Sequence, residues 1–551
     1  MDLSLVSKNL KQLASTDLEL LADDAIKAQI VAATQQVGPA LSHHVVPQTS
    51  RGFSFHQTEA DPASKIVALA GTGFMGFSAE IDLYPSYDVI IYEPLPGLAY
   101  LFLSQMNLAD FCGTPNVHLY YQLDRFEAAL RTVQNFWRPI QAYKSPSTSQ
   151  LFPEETDRFQ KIIVEYSLIV RNEIKALEKY YFRWTRNEAL NLQQLKGKPN
   201  AATRREFLKN TPAIIVGAGP SLRPALTTLK AVSQADNILI IAASTAIRAL
   251  LAEGIYPHFV VIIEGRRRDH FDADLAFNRL RLLAHMQTHP DHLNYPFQGV
   301  YWFNQGTSPL APLIAALLPE TVPIQFSGNV ATTAFLLAAA WGCNPVALVG
   351  MDLAYKPEKR YMQGLGIKEH AVDASNLQDV PGQGGETLQA PPEWMGYARN
   401  LEKAISSLKT IKPGFSVVNA SIGGRVLKGT VEMPLAEFVA QHPAPSDGVG
   451  PRILQELPTW PNLPVEQVQA VLDQRHAIYR TLAETLESPA SQLEQTEHLN
   501  RIASLLQRLP EFNTPTARLI PWVPKLLAGQ PLSPDDLAAL KTAVEQVLAK
   551  P

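Results

Sequence analysis

Cysteine is scarce in this chain, with Cys112 and Cys343 the two examples in 551 residues. Two are too few for a disulfide framework, and neither has a CxxC partner that would hold zinc, so a reducing compartment is expected. Charge is sparse as well, at 18% of the residues against about 25% in an average globular chain. Lys plus Arg at 48 against Asp plus Glu at 52 leaves a formal net charge of −4, which offers no general electrostatic grip on nucleic acid. The opening Met1-Asp2-Leu3-Ser4 has neither the basic nor the apolar region of a secretory signal, and a cytoplasmic protein is expected. Long apolar runs are missing too, with one apparent exception. No residue between Glu320 and Asp352 is charged, which is length enough for a membrane helix of about 20 residues. Pro323, Ser327, Gly328, Asn329, Gly342, Asn344 and Pro345 break that stretch into strand, helix and strand, so it reads as buried core and no membrane association is expected.

What is present is ample apolar material, 46% of the chain, which excludes a disordered polypeptide. At about 150 residues per domain the length suggests three or four units. The pattern divides into an N-terminal α/β Rossmann-like domain over 1–150, a helical linker over 151–209, a central domain over 210–450 and a helical bundle over 451–551. In the first of these, Ile66-Val67-Ala68-Leu69-Ala70 reads as a strand and is followed by Gly71, Gly73 and Gly76, with a second apolar run from Tyr87 to Tyr92 ending at Glu93. A glycine fingerprint after a strand and an acid at the tip of the next are the formal elements of a nucleotide-binding crossover. About ten residues separate glycines and second strand, however, with Pro85 among them, so the crossover is cramped and the domain is read as Rossmann-like with no ligand required. From Glu154 to about Leu195 no Pro or Gly interrupts a helical spacing of Ile162, Ile163, Tyr166, Ile169, Val170 and Ile174, which marks one long helix.

The central block alternates short β-branched runs with helices: 213–216, 238–241, 259–263, 300–303, 323–326, 346–349 and 415–418. Continuous apolar runs of this kind imply strands buried on both faces of a mainly parallel sheet, a doubly wound α/β domain. After Pro451 those runs stop, and residues near 464–486, 489–508, 515–528 and 533–549 carry helical periodicity, with Ser533-Pro534-Asp535-Asp536 supplying an N-cap and first-turn acids.

Open parallel sheets bind ligands beyond the carboxyl ends of their strands, so the residues just after each run are the candidates. The first run leads into Gly217-Ala218-Gly219-Pro220-Ser221-Leu222. Its glycines let the backbone pass close to a ligand, and Ser221 is placed to cap a helix whose free N–H groups favour an anion. Leu222 stands where a dinucleotide fingerprint has its third glycine, and the next run ends in Ala242-Ala243-Ser244-Thr245 rather than a ribose-binding acid, which disfavours NAD. Glu264 is followed by Arg266, Arg267 and Arg268, whose guanidinium forks match phosphate or carboxylate; the alternative is a solvated turn. Ser327-Gly328-Asn329 opens another helix, and Asp352 sits where a strand emerges, with capping of the next turn as its alternative role. A long polar loop from Lys356 to Pro392 contains His370, a group that titrates near neutrality and could act as a base. Asp272-Ala273-Asp274 spells a DxD but looks more like a helix start, and no metal site is assigned.

Taken in order, Gly217 to Leu222, Gly254-Ile255-Tyr256-Pro257 leading to Glu264, Ser327 to Thr333, Gly350-Met351-Asp352-Leu353-Ala354-Tyr355, His370, and Asn419-Ala420-Ser421-Ile422-Gly423-Gly424 with Gly429-Thr430 resemble the motility accessory factor family of flagellin glycosyltransferases. That family shares a domain with archaeal 6-hydroxymethylpterin diphosphokinases, and the Gly-x-Gly-Pro-Ser turn is similar to the nucleotide loop of bacterial sialyltransferases that use CMP-sugars. The resemblance implies a GT-A or sialyltransferase-like central domain that transfers pseudaminic or legionaminic acid from its CMP donor to Ser or Thr of flagellin, with no tightly bound cofactor. Met351 departs from the Gln often found there, and Ile422 stands where an acid often follows, so Asn419 and Ser421 are expected at most to bind.

Transfer from an anomeric carbon to a hydroxyl needs a base, stabilisation of the departing phosphate and support for an oxocarbenium-like transition state. The candidate assignments are Gly217, Gly219, Pro220, Ser221, Ser244 and Thr245 with Ser327, Asn329 and Asn419 for the nucleotide and donor, and Arg266 or Arg267 for the phosphate or the sugar's carboxylate. Asp352 is the first candidate for acid–base work, His370 the second, and Glu264 would orient the donor. Two rival readings stay open: diphosphate transfer from ATP to a pterin alcohol, and a non-catalytic flagellin-binding protein.

Overall fold

In the computed structural model the described residues are 3–13, 15–19, 21–37, 53–55, 66–71, 81–83, 87–105, 116–133, 140–203, 205–267, 276–306, 308–324, 328–355, 377–442, 448–487, 495–509, 512, 520, 522–527 and 532–548. The chain divides into two compact units, residues 1–179 with 515–532, and residues 180–514 with 533–551.

The first unit is built on a five-stranded parallel sheet whose spatial order is Ser15–Thr16, Asn116–Tyr120, Asp88–Tyr92, Ile66–Ala70 and Ile140–Lys144. The two apolar runs recognised in the sequence are neighbours in it, and every residue of both is buried. One face packs against the helix Pro96–Gln105 through Tyr100, Phe102 and Leu103, the other against Phe126, Phe159 and Ile163. Of the three fingerprint glycines Gly71 is described, with φ of +93°; Gly73 and Gly76 lie outside the described residues.

The helix Pro153–Gln194 runs for 42 residues. Proline at its first position fits a turn that has no N–H to lose, and Glu154 and Glu155 favour the positive end of the helix dipole.

The second unit holds an eight-stranded sheet, all parallel. In chain order its strands are Ala213–Val216, Leu239–Ala243, Phe259–Ile262, Arg281–His285, Gly299–Phe303, Val346–Val349, Val417–Asn419 and Val431–Glu432. Across the sheet they run fifth, fourth, third, second, first, sixth, seventh, eighth. The order therefore reverses between the first and sixth strands, which places a crevice beyond their carboxyl ends. Side chains alternate between two buried layers: Ile215 and Leu348 face the helices Val330–Ala340 and Pro392–Ile411, while Ile214, Val216 and Val349 face Leu222–Ala235 and Leu435–Gln441. Burial on both faces is the doubly wound arrangement that the apolar runs predict. Two additions were not visible in those runs. Arg281–His285 begins with a cation and so breaks the apolar pattern, and part of the expected polar loop is an antiparallel hairpin, Gln378–Pro381 paired with Thr387–Ala390.

In the uncharged stretch, Ile324 makes an isolated bridge with Gln305, followed by the helix Val330–Ala340 and the strand Val346–Val349. No helix among the described residues is long and apolar enough to cross a membrane. The C-terminal region contains the helices Val449–Glu456, Val465–Glu487, Gln495–Gln507, Trp522–Leu527 and Pro534–Leu548. At the last of these the Asp536 N–H donates to Ser533 Oγ at 3.1 Å and the Ser533 N–H to Asp536 Oδ2 at 3.0 Å. Each side chain thus satisfies a backbone donor that the helix start would leave unpaired.

Candidate active site

The first and sixth strands are paired in register, Val216 opposite Val349, so the turns that follow them emerge side by side. Gly217 N–H donates to Val349 O and Gly219 N–H to Gly350 O, both at 2.7 Å. The approach leaves no room for side chains. A Cβ on Gly217 would sit 2.4 Å from Gly350 O, and one on Gly350, whose φ is +68°, would sit 2.3 Å from Gly217 O. Glycine is required at Gly217 by contact, and at Gly350 by contact and by backbone angle.

Close packing of the two turns delivers Asp352 into the glycine loop. Its carboxylate accepts from the Ser221 N–H, at 3.1 Å to Oδ1 and 3.3 Å to Oδ2, and from the Ser221 hydroxyl at 2.8 Å to Oδ2. Both residues are buried. The sequence reading of Ser221 as a side-chain cap needs correction here: it stands at the N-cap of Leu222–Ala235 but makes no capping hydrogen bond with its side chain. Its hydroxyl instead donates to Asp352 in a charge-assisted hydrogen bond. The anion gathered by this helix start is thus the protein's own.

A third turn closes the arrangement from the seventh strand. Ser421 Oγ accepts from Met351 N–H at 3.0 Å, and Arg425 N–H donates to Asp352 O at 3.0 Å. Asn419 is used within this turn, its Nδ2 donating to Arg425 O and its Oδ1 accepting from Ser421 N–H, both at 3.2 Å. Leu353 follows in the left-handed region at φ +47°, a conformation that costs a non-glycine residue about 1–2 kcal/mol and that these flanking bonds enforce.

Above these turns lies a cavity of about 610 Å³ lined by Gly217, Gly219, Pro220, Ser221, Thr245, Asn329 and Asp352 among the expected residues. Asn329 caps Val330–Ala340, its Oδ1 accepting from Thr332 N–H at 2.9 Å. The lining also includes the aromatic Tyr355, Trp394 and Tyr397, with Met351 and Ile422. Tyr397 donates its hydroxyl to Glu393; burial first, then the Glu393 charge, hold that phenol protonated far above the usual range.

The remaining candidates are placed differently. Glu264 is taken by Arg266, whose N–H and Nε donate to Oε1 at 2.9 and 3.1 Å, and this hydrogen bonding raises the guanidinium pKa above its ordinary value. The pair lies within electrostatic reach of Tyr397, where Glu264 raises the phenol pKa and Arg266 lowers it, but neither residue lines the cavity. The Glu264 turn is held from the long helix, as Asn187 Nδ2 donates to Gly265 O at 2.8 Å and Gln287 O at 3.0 Å. Arg267 points to Asp291, 3.3 Å away, and is 76% exposed. Ser244 is buried in the 3₁₀ turn Ser244–Ala246, outside the cavity lining. His370, Ser327, Arg268 and the Asp272-Ala273-Asp274 triplet lie outside the described residues. No group of three or more His, Cys, Asp or Glu among the described residues could hold a metal ion.

Tyr355 stood within a quoted motif without an assigned role, and Trp394 and Tyr397 were missed. Their one signal was an aromatic spacing of three after Pro391-Pro392, where prolines open a helix.

Comparison with known proteins agrees with this architecture. Residues 186–358 match the family model described as 6-hydroxymethylpterin diphosphokinase MptE-like. No curated protein matches the sequence. Among solved structures the chain is similar to the MAf glycosyltransferase from Magnetospirillum magneticum AMB-1, at 15% identity and a TM-score of 0.51, over 99% of this chain and 85% of that one. Along nearly its whole length, therefore, the chain has the fold of that glycosyltransferase.

Proposed function

We propose that the chain is a glycosyltransferase that moves a nonulosonic acid, pseudaminic or legionaminic, from its CMP donor to Ser or Thr hydroxyls of flagellin, in the cytoplasm and in support of flagellar assembly. The observation that carries this reading is the buried Asp352 carboxylate hydrogen-bonded to Ser221 at the point of strand-order reversal. It gains weight from the fold shared with a MAf glycosyltransferase over 99% of the chain.

In this mechanism Asp352 takes the proton of the acceptor hydroxyl, with His370 the second choice. The freed oxygen bonds to the anomeric carbon as the bond to the CMP phosphate breaks and its electron pair leaves with the phosphate. Ser221 orients the Asp352 carboxylate. Backbone N–H groups at the start of Val330–Ala340, with Thr245 and Asn329, face the nucleotide and its developing charge, while the first N–H groups of Leu222–Ala235 are taken by Gly219 O and Pro220 O. Glu264 orients the donor, Arg266 or Arg267 meets the donor's phosphate or carboxylate, and Asn419 supports the turn beneath.

A second reading, diphosphate transfer from ATP to a pterin alcohol, is favoured by the family model over residues 186–358. Two assays separate them. Intact-mass analysis of flagellin from cells with and without this protein should show the added sugar only in its presence, whereas a constant flagellin mass with ATP-dependent diphosphorylation of 6-hydroxymethylpterin by the purified chain would favour the second reading. A constant mass with flagellin binding retained would point to a non-catalytic binding protein.

A further inference from the structure

The cavity lining includes two aromatic elements that the glycine turns do not explain. Tyr355 lies three residues beyond Asp352 and is fixed by a two-way backbone bridge to Gln389, its N–H donating at 2.7 Å and its O accepting at 2.9 Å. Trp394 stands in the first turn of Pro392–Ile411, its N–H bonded to Pro391 O at 3.0 Å. The two rings meet with centroids 4.2 Å apart and planes inclined at 33°. Both are only half-buried and both line the cavity, unlike Trp341, which is fully buried in the core. Ordered backbones and paired rings make this a surface prepared before any ligand arrives, so little entropy is lost in using it.

Resting on the glycosyltransferase reading above, we propose that the Tyr355–Trp394 ring pair is the seat of the transferred sugar, receiving its apolar face and acyl groups while the nucleotide takes the part of the cavity lined by Gly217, Gly219 and Thr245. Two observations favour the sugar over the base. The pair adjoins Asp352, where the reacting carbon must come. Two further cavity residues, Met351 and Ile422, are apolar, which suits C–H faces, N-acyl groups and methyl groups. Aromatic side chains combine large contact area with little rotamer freedom, which suits them to fix a ring's orientation.

The test uses the full-length protein, purified flagellin and two probes, CMP and the CMP-activated nonulosonic acid. Trp394→Ala should raise KM for the donor by about tenfold or more while the Kd for CMP stays within about twofold of wild type, and Trp394→Phe should restore most of the loss. Unaltered CMP binding also certifies the fold; should Trp394→Ala fail to fold, Tyr355→Leu is expected to give the same split. A donor KM unchanged in the variants, or CMP binding that weakens in step with the donor, overturns the assignment, the second outcome giving the rings to the base. A wild-type protein that transfers nothing from either CMP-pseudaminic or CMP-legionaminic acid overturns the glycosyltransferase reading itself, and this inference with it.

Discussion

Asp352 and Ser221, 131 residues apart in sequence, meet through a hydroxyl-to-carboxylate hydrogen bond of 2.8 Å and a second bond from the Ser221 backbone. The contact joins the turns after two adjacent parallel strands at the reversal of strand order. A carboxylate buried there needs hydrogen bonds to offset its lost hydration, and Ser221 supplies both kinds of donor. A ligand phosphate approaching the same helix start must therefore compete with the Asp352 carboxylate for the Ser221 N–H.

Asp352→Asn keeps the size and the acceptor oxygen but removes the base. Flagellin modification, followed by intact mass over time, should fall by about 10²- to 10⁴-fold, the range general bases contribute. The thermal midpoint should move little. Transfer at the wild-type rate would sink the assignment of Asp352.

Ser221→Ala leaves the backbone bond and deletes the hydroxyl. A hydrogen bond to a charged group is worth about 1.5–3 kcal/mol, so a loss of about 10- to 150-fold in kcat is expected, with Ser221→Thr recovering part of it. If the acceptor-proton step depends on Asp352, the pH–rate profile of Ser221→Ala should also shift on its acid limb, which a purely structural loss would not cause.

Gly219→Ala tests the packing of the two turns. The added Cβ would fall 1.8 Å from Asp352 Oδ2 and 2.7 Å from Gly350 O, so the carboxylate has to leave its place. Overpacking of this sort costs about 1–3 kcal/mol, and transfer should be lost together with a fall in the thermal midpoint. A variant with wild-type activity would show that Asp352 works from some other position.

Much of the fold was legible because strands buried on both faces leave uninterrupted β-branched runs. Ala213–Val216 and Val346–Val349 coincide with their sequence assignments, as does the 42-residue helix to within a residue. The strand Arg281–His285 was hidden by its charged first residue and its histidine end. The hairpin 378–390 was hidden because it is short and half-exposed, with little apolar alternation to mark it. For the site, turn glycines and an acid at a strand tip announce themselves by position relative to the sheet. Tyr355, Trp394 and Tyr397 do not, because an aromatic at helical spacing reads equally well as core. Only tertiary packing shows that Trp341 is fully buried while Trp394 lines a cavity.

The core itself makes a prediction. Trp341 is fully buried among Phe207, Phe259 and Trp460, at centroid distances of 5.3, 5.2 and 5.8 Å, and its indole N–H donates to Ala201 O at 3.0 Å. Trp341→Ala should destabilise the unit by about 3–5 kcal/mol, read as a lower urea midpoint. Trp341→Phe should recover a good part of this while still lacking the hydrogen bond.

His285 gives the chain a built-in acid sensitivity. It is buried at the end of its strand beside Phe303, ring centroids 5.4 Å apart, and its Nε2 has no hydrogen-bond partner. Burial lowers its pKa from 6.5 to about 3. The folded state thus binds fewer protons than the unfolded state between those values. Stability from the neutral ring is complete above about pH 6.5 and declines as the pH falls toward about 3, because only the unfolded chain can take up the proton. Thermal midpoints measured from about pH 7 to about pH 4 should fall in the wild type and fall less in His285→Leu, so the two curves converge on the acid side. Parallel curves would show that the ring reaches water and that its burial does not govern the acid response.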